Sequence, residues 1–258
     1  RSADDERTLG STAILVDAMS RYRLSYSAVV EEERAQLEIG RADMDRFVHE
    51  MILVPRFIVF CQGRALQSRP PCLVALEGQI YGNWVFVPFD GYLTAEMLDS
   101  YGGDDFVMWS EDCDELRPDA LFEFASAINA WPEADLYYAD EDTLLPDGRL
   151  GEPFYKPCWS PDYLEVFNYI GRPACFRVSV ARRIGASRGY YDFVLKFTEK
   201  SDRIRHIRRV LCLTPGGPGR ALDRDSQRNA LAGRLERTGR AGRIVPLTGA
   251  GFGWDLQI

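Results

Sequence analysis

Apolar and polar positions along this chain change rhythm near Pro55. Before it, Ile14, Leu15, Ala18 and Met19, and later Met44, Phe47, Val48, Met51 and Ile52, recur at helical spacing. Ser11 and Thr12 can cap the first run, and 29–37 is rich in Glu and Ala. The pattern predicts two or three helices over 11–53 that precede and brace a core domain. After Pro55 short apolar runs take over, at 56–61, 83–90, 105–109 and 134–138. Continuous apolar runs of this length are the mark of buried strands. Helices are predicted between them at 72–79 and 118–131, the second with Pro118 in its first turn. Further on, 204–210 reads as a strand and 224–240 as an Arg-rich surface helix. The segment 215–220 reads as a flexible loop, and 249–253 as a linker or closing turn. Strand alternating with helix predicts an α/β domain with parallel strands. The organisation expected is a helical extension over 1–54, the core domain over 55–248 and a tail over 249–258.

Acidic residues follow the predicted strands: Asp90 after the second, Glu111, Asp112 and Asp114 after the third, Asp140, Glu141 and Asp142 after the fourth. Ligands of open α/β sheets bind beyond the carboxyl ends of the strands, so these acids mark one candidate edge. Carboxylates gathered in one place repel unless a cation sits among them. Asp112-Cys113-Asp114 reads either as an exposed acidic loop or as a pair that holds Mg²⁺ or Mn²⁺ while a nucleotide diphosphate supplies further oxygens.

Composition narrows the classes. The 258 residues carry a net charge of −8, with 46% hydrophobic and 27% charged residues. These are globular values, and the acidity argues against a protein that coats nucleic acid. No apolar run is long enough for a transmembrane helix, and 1–7 lacks the apolar core of a signal peptide. The six cysteines form no Cys-x-x-Cys pair. They read as buried, reduced thiols of a cytosolic protein rather than as a zinc site. Three lysines, Lys156, Lys196 and Lys200, stand among 31 basic residues.

Several motifs appear in a fixed order: Gln79, Tyr81, Asn83 and Trp84 before a β-rich run to Asp90; Arg117-Pro-Asp-Ala-Leu121 after the acidic cluster; Asp135 to Asp142 with Asp147-Gly-Arg149; Phe154-Tyr-Lys-Pro-Cys-Trp-Ser-Pro-Asp162 with Asn168-Tyr-Ile-Gly171; and Arg203-Ile-Arg-His-Ile207 with Val210-Leu211. Together they resemble glycosyltransferase family 2, in its bacterial surface-polysaccharide branch, over roughly 56–245. The resemblance implies a GT-A fold, a mixed and mostly parallel sheet flanked by helices. It implies transfer of a sugar from a nucleotide-sugar donor to a glycan such as O-antigen, with inversion and with Mg²⁺ or Mn²⁺. It assigns the metal to Asp112 and Asp114 with Glu111, the nucleotide to Asp90 and Trp159, the acceptor side to Asp140, Glu141 and Asp142, and an acid–base role to Asp192.

The pattern also departs from that family where its chemistry is done. Cys113 stands where a carboxylate is expected. Tyr190 occupies the place of the catalytic base, leaving Asp192, a supporting residue in the family. Leu213-Thr-Pro215 replaces a His-Trp-Arg. Cys61-Gln-Gly-Arg64 replaces a Pro-x-Tyr-Asn, and Gly91 to Trp109 leaves no room for a nucleotide-contacting helix. Two functions are therefore expected: a metal-assisted transferase, or a non-catalytic relative that scaffolds or recognises glycan beside an active domain. Trp84, Trp159, Pro161 and Ile170 read as packing residues, and His206 as a structural histidine. Arg203, Arg205, Arg208 and Arg209 read as a strand with one solvated face or as a patch for a membrane surface; Arg234, Arg237, Arg240 and Arg243 share that ambiguity. The ending, 253–258, resembles the lead-in to a second transferase domain. The expected place is the cytoplasm, at or near the inner membrane.

Overall fold

A computed structural model describes residues 40–63, 69–215, 224–247 and 253–257, with isolated helical positions at Tyr26, Ala28, Glu32 and Ala35. The expected loop at 215–220 and most of the expected helices over 11–39 lie outside the described residues. Helix α1 covers 40–50 and ends before Pro55, as the apolar spacing predicts. Among the described residues no helix is long and apolar enough to cross a membrane.

The core is a seven-stranded sheet in the order β2-β1-β4-β7-β6-β9-β5. Its strands are β1 (Phe57–Gln62), β2 (Trp84–Phe89), β4 (Phe106–Glu111), β5 (Glu115–Leu116), β6 (Leu136–Leu144), β7 (Ala174–Arg177) and β9 (Ile204–Pro215). Pairings β1–β2, β1–β4 and β6–β9 are parallel, while β7 and β5 run against their neighbours. Short β3 (Tyr92–Leu93) pairs with β8 (Ser187–Arg188), and β10 (Arg243–Pro246) with β11 (Trp254–Gln257). The sheet is mixed and mostly parallel with helices on both faces, which is the GT-A-like α/β class expected.

Both faces of the central strands are buried. Phe57 and Val59, with Phe106 and Met108, meet Leu121, Phe124 and Ile128 of α3 (Ala120–Ala130) on one face. Ile58 and Phe60, with Val107 and Trp109, meet Phe193 and Phe197 of α6 (Tyr190–Thr198) on the other. This two-sided burial explains why the strands read as unbroken apolar runs. Each large side chain so buried contributes roughly 1.5–3 kcal/mol. The third layer against α6 is α7 (Arg224–Arg237).

Four expectations change. The run at 83–90 is not a buried strand but a half-buried edge, with Pro88 exposed where no further strand needs its N–H. Helix α3 begins at Ala120, so Pro118 precedes it. Strand β6 does not stop at Tyr138. It runs on to Leu144 because β9 pairs with it throughout, across register shifts at Ala139, Asp140 and Glu141. The stretch after 253 supplies β11, whose Trp254 is buried against the core.

Candidate functional site

The carboxyl ends of β1, β2 and β4 lie side by side, with Gln62 opposite both Phe89 and Glu111. Asp90 follows β2 and is exposed; its carboxylate accepts the Tyr92 N–H at 3.0 Å, closing a tight turn. Gly91 has φ +87°, and a Cβ there would strike the Gln62 amide. Gln62 in turn accepts the Trp109 indole N–H at 3.2 Å. Asp112 continues this edge: its N–H donates to the Gln62 carbonyl at 3.0 Å, and its side chain lies against Gly63.

The predicted metal residues meet a cation that belongs to the chain. Asp114 is 1% exposed. It accepts the Glu111 N–H at 2.8 Å and the Arg172 Nε at 2.6 Å. Arg172 reaches Glu111 as well, at 3.1 Å. The sheet explains this position. Strand β7 runs antiparallel to β4 with Met108 opposite Cys175, so continuing that register carries Arg172 to the level of Glu111. Burial opposes the guanidinium charge, yet Asp114, Glu111 and Glu141 together hold its pKa above the ordinary value. Ligand atoms of Glu111, Cys113 and Asp114 lie within 4.8 Å of one another, and Asp112 is not among them. Mg²⁺ and Mn²⁺ favour oxygen donors. A set whose two carboxylates already hold a guanidinium does not fit them.

Asp140, Glu141 and Asp142 sit within β6 and are buried, not displayed past its end. Each has an internal partner. Asp140 takes His206 Nε2 at 2.7 Å and the Lys156 N–H at 2.8 Å. Glu141 faces Lys156 Nζ at 3.7 Å, which also donates to the carbonyls of Ile170 and Arg172 at 2.8 and 3.1 Å. Burial pushes the Lys156 ammonium pKa down, with Glu141 drawing it back up. Gly171 has φ +45°, and a Cβ there would come within 3.0 Å of Glu141 Oε1 and 3.4 Å of Lys156 Nζ. Glycine is what lets the backbone close over this pair.

Asp142 accepts the Tyr26 O–H at 2.5 Å and the Thr143 N–H at 2.6 Å. Burial raises its pKa, and those two donors offset part of the rise. With the folded value above the ordinary 3.8, the folded state holds the proton more tightly. Stability from this group is therefore lost as pH rises through the raised value, so its ionisation works against the fold. Asp142→Asn keeps an acceptor for Thr143 and a donor for Tyr26. Thermal melts across pH 4–7 are expected to show the variant above wild type at neutral pH, with a shallower slope; a lower midpoint at pH 7 rules this out.

The remaining predicted residues fall elsewhere. Asp192, in the first turn of α6, accepts from Lys196 Nζ at 2.8 Å and from the Arg188 N–H at 3.1 Å, and lies 3.9 Å from Arg237. Its partner Arg188 pairs with Tyr92, two residues past Asp90. The Tyr190 ring meets Trp109, and its O–H donates to the Gly171 carbonyl. Burial pushes this phenol well above its ordinary pKa, so it stays protonated. Trp159 packs, half-buried, against the core, and Ile170 is fully buried. His206 stacks on Tyr138 with ring centroids 4.7 Å apart. The arginines of β9 do not form a free basic patch. Arg203 pairs with Asp135, Arg205 with Glu133, and Arg209 with Asp119 and Glu123, while Arg208 donates to Cys158 Sγ. On α7, Arg234 is buried against Glu165 at 2.5 Å rather than displayed. Sequence reasoning passed over Arg172 and Lys156. The available signal was that one of only three lysines lies in an aromatic, Pro-rich motif.

The fold is that of a GT-A-like domain, and at this edge one buried arginine bridges two carboxylates. No family model matches the chain. It is 29% identical over 220 residues to the O-antigen biosynthesis protein RfbC of Myxococcus xanthus, covering 67% of this chain and 17% of that protein. It is 34% identical over 150 residues to an uncharacterised protein, y4gI, of Sinorhizobium fredii, covering 52% of this chain and 16% of that protein. The chain thus spans about one sixth of the length of these relatives. Among solved structures, S. aureus TarS 1–349 in complex with UDP-GlcNAc is 13% identical and covers 71% of this chain and 72% of its own, with a TM-score of 0.46. A second S. aureus TarS structure is 14% identical, covers 70% and 43%, and has a TM-score of 0.45.

Proposed function

We propose that this chain is a GT-A-like domain of a bacterial surface-polysaccharide assembly protein. In it metal-assisted sugar transfer has been given up, and the domain serves as a glycan-recognition or scaffolding module beside an active transferase. The observation that carries this reading is Arg172 bound between Asp114 and Glu111. A divalent cation does more than neutralise carboxylates: it must also bind the diphosphate and stabilise the leaving group. An arginine spent on two carboxylates has neither open coordination positions nor surplus charge for that task. A diphosphate arriving at Asp90, Glu111, Asp112 and Asp114 meets net repulsion. Tyr190, protonated and bonded to a carbonyl, offers no base for the acceptor hydroxyl. Relatedness to an O-antigen biosynthesis protein supports a glycan as the partner, and Tyr155, 61% exposed beside Lys156, offers an aromatic face for a sugar ring.

The rival reading, an active transferase, is favoured by the close approach of Glu111, Cys113 and Asp114. Calorimetric titration with UDP-GlcNAc and UDP, with and without Mn²⁺, separates the two. The module is expected to show no metal-dependent binding at millimolar ligand. Mn²⁺-dependent binding, or sugar turnover that disappears in Asp114→Ala, overturns it.

A further inference from the structure

Away from the acidic cluster, two thiols form a small cluster of their own. Cys61, the penultimate residue of β1, and Cys72, the second residue of α2 (Pro71–Glu77), are 1% and 3% exposed. Their sulfurs approach to 2.9 Å, with Phe86 of β2 packed against them. The remaining cysteines take no part in this contact. Cys175 and Cys212 are buried elsewhere in the sheet, Cys113 belongs with Glu111 and Asp114, and Cys158 contacts Arg208.

The geometry points to Cys61 and Cys72 as a dithiol site that a peroxide converts to an intrachain disulfide. A disulfide bond is about 2.05 Å long, so the sulfurs need to move together by less than their present gap. The two thiols share one hydrogen bond in which either can donate; with Cys61 donating, Cys72 is the attacking thiolate. Its sulfur takes one oxygen from hydrogen peroxide as the O–O bond breaks, giving a sulfenic acid and, after proton uptake, water. The Cys61 sulfur then attacks that sulfenic sulfur, forming the S–S bond and releasing the second water. Two thiols and one peroxide give one disulfide and two waters. Small size matters in the oxidant because both sulfurs are covered.

The bond would tie the start of α2 to the end of β1, beside the acidic edge. The Cys72 N–H already donates to the Asp112 carbonyl at 3.3 Å, so oxidation would fix the strand end from which Asp112 projects. Nothing in this inference depends on whether the domain transfers sugar.

The test treats the full chain with a modest excess of hydrogen peroxide, alkylates it under denaturing conditions and maps the peptides by mass. Cleavage after Arg64 separates the two cysteines, so a link joins two peptides. The expected result is a Cys61–Cys72 link, the other four thiols alkylated, a loss of two hydrogens, full reversal by dithiothreitol, and a thermal midpoint raised by roughly 5 °C. Cys113→Ser should leave the link intact, and Cys61→Ser should abolish it. Six alkylated thiols after oxidation, a link through Cys113, or oxygen retained on Cys72 in wild type each overturn the proposal.

Discussion

Arg172→Ala should lower the stability of this domain by about 3–5 kcal/mol and, in the same step, create a cation site. The first effect follows from burial. Asp114 is almost fully covered and takes two bonds from Arg172, while Glu111 takes a third contact. Removing one partner of a buried ion pair strands the other, at a cost of about 3–5 kcal/mol. For a chain of this size that is roughly a 10 °C fall in thermal midpoint. The second effect follows from what is left: two carboxylates and a thiol within 4.8 Å, with the competing positive charge gone. Mn²⁺ at about a hundred times its Kd would restore roughly 2.7 kcal/mol by binding the folded state alone. Melting curves of wild type and variant over a Mn²⁺ series decide the matter. A variant as stable as wild type, or equal Mn²⁺ shifts in both proteins, would sink the account of Arg172 as the resident cation.

A loss of the same order is expected from Lys156→Met, for a partly different reason. The lysine is the buried counter-charge of Glu141, and it also satisfies the carbonyls of Ile170 and Arg172. Methionine fills the volume and does neither. A fall of about 3–5 kcal/mol is expected, read from urea unfolding. Pairing it with Glu141→Gln removes the stranded charge, so the double variant should recover more than half of the loss. The two carbonyls account for the part not recovered. If the double variant is no better than Lys156→Met alone, charge compensation is not what Lys156 provides.

The strands β1 and β4 were legible because they are buried on both faces and hence uniformly apolar. Helix α3 was legible because Leu121, Phe124 and Ile128 fall on one side. Strand β6 was half legible. Its first residues, Leu136 to Tyr138, look like strand, but Ala139 to Asp142 look like solvent-facing loop. What lets those acids sit in a strand is buried polar partners, and two of these are remote: His206 follows Asp140 by 66 residues and Tyr26 precedes Asp142 by 116. No local pattern carries that information. The same holds for the arginines of β9, which read as an exposed basic face because Asp119, Glu123, Glu133 and Asp135 come from the cap of α3, from α3 itself and from the turn after it. Motif order located the acidic edge through Asp90, Glu111 and Asp114. It grouped Asp192 with these acids by analogy; in the structure that residue pairs with Lys196 and lies near Arg237.

A cation supplied by the chain has no dissociation equilibrium. Its local concentration is fixed by the covalent path from Gly171 to Pro173 and does not follow the manganese or magnesium content of the surroundings. The Glu111–Asp114 cluster keeps its shape under chelation and under metal starvation, conditions in which a metal-dependent transferase beside it would stall. On the function proposed above, such a domain would go on holding a polysaccharide, or its neighbours, through intervals when synthesis stops.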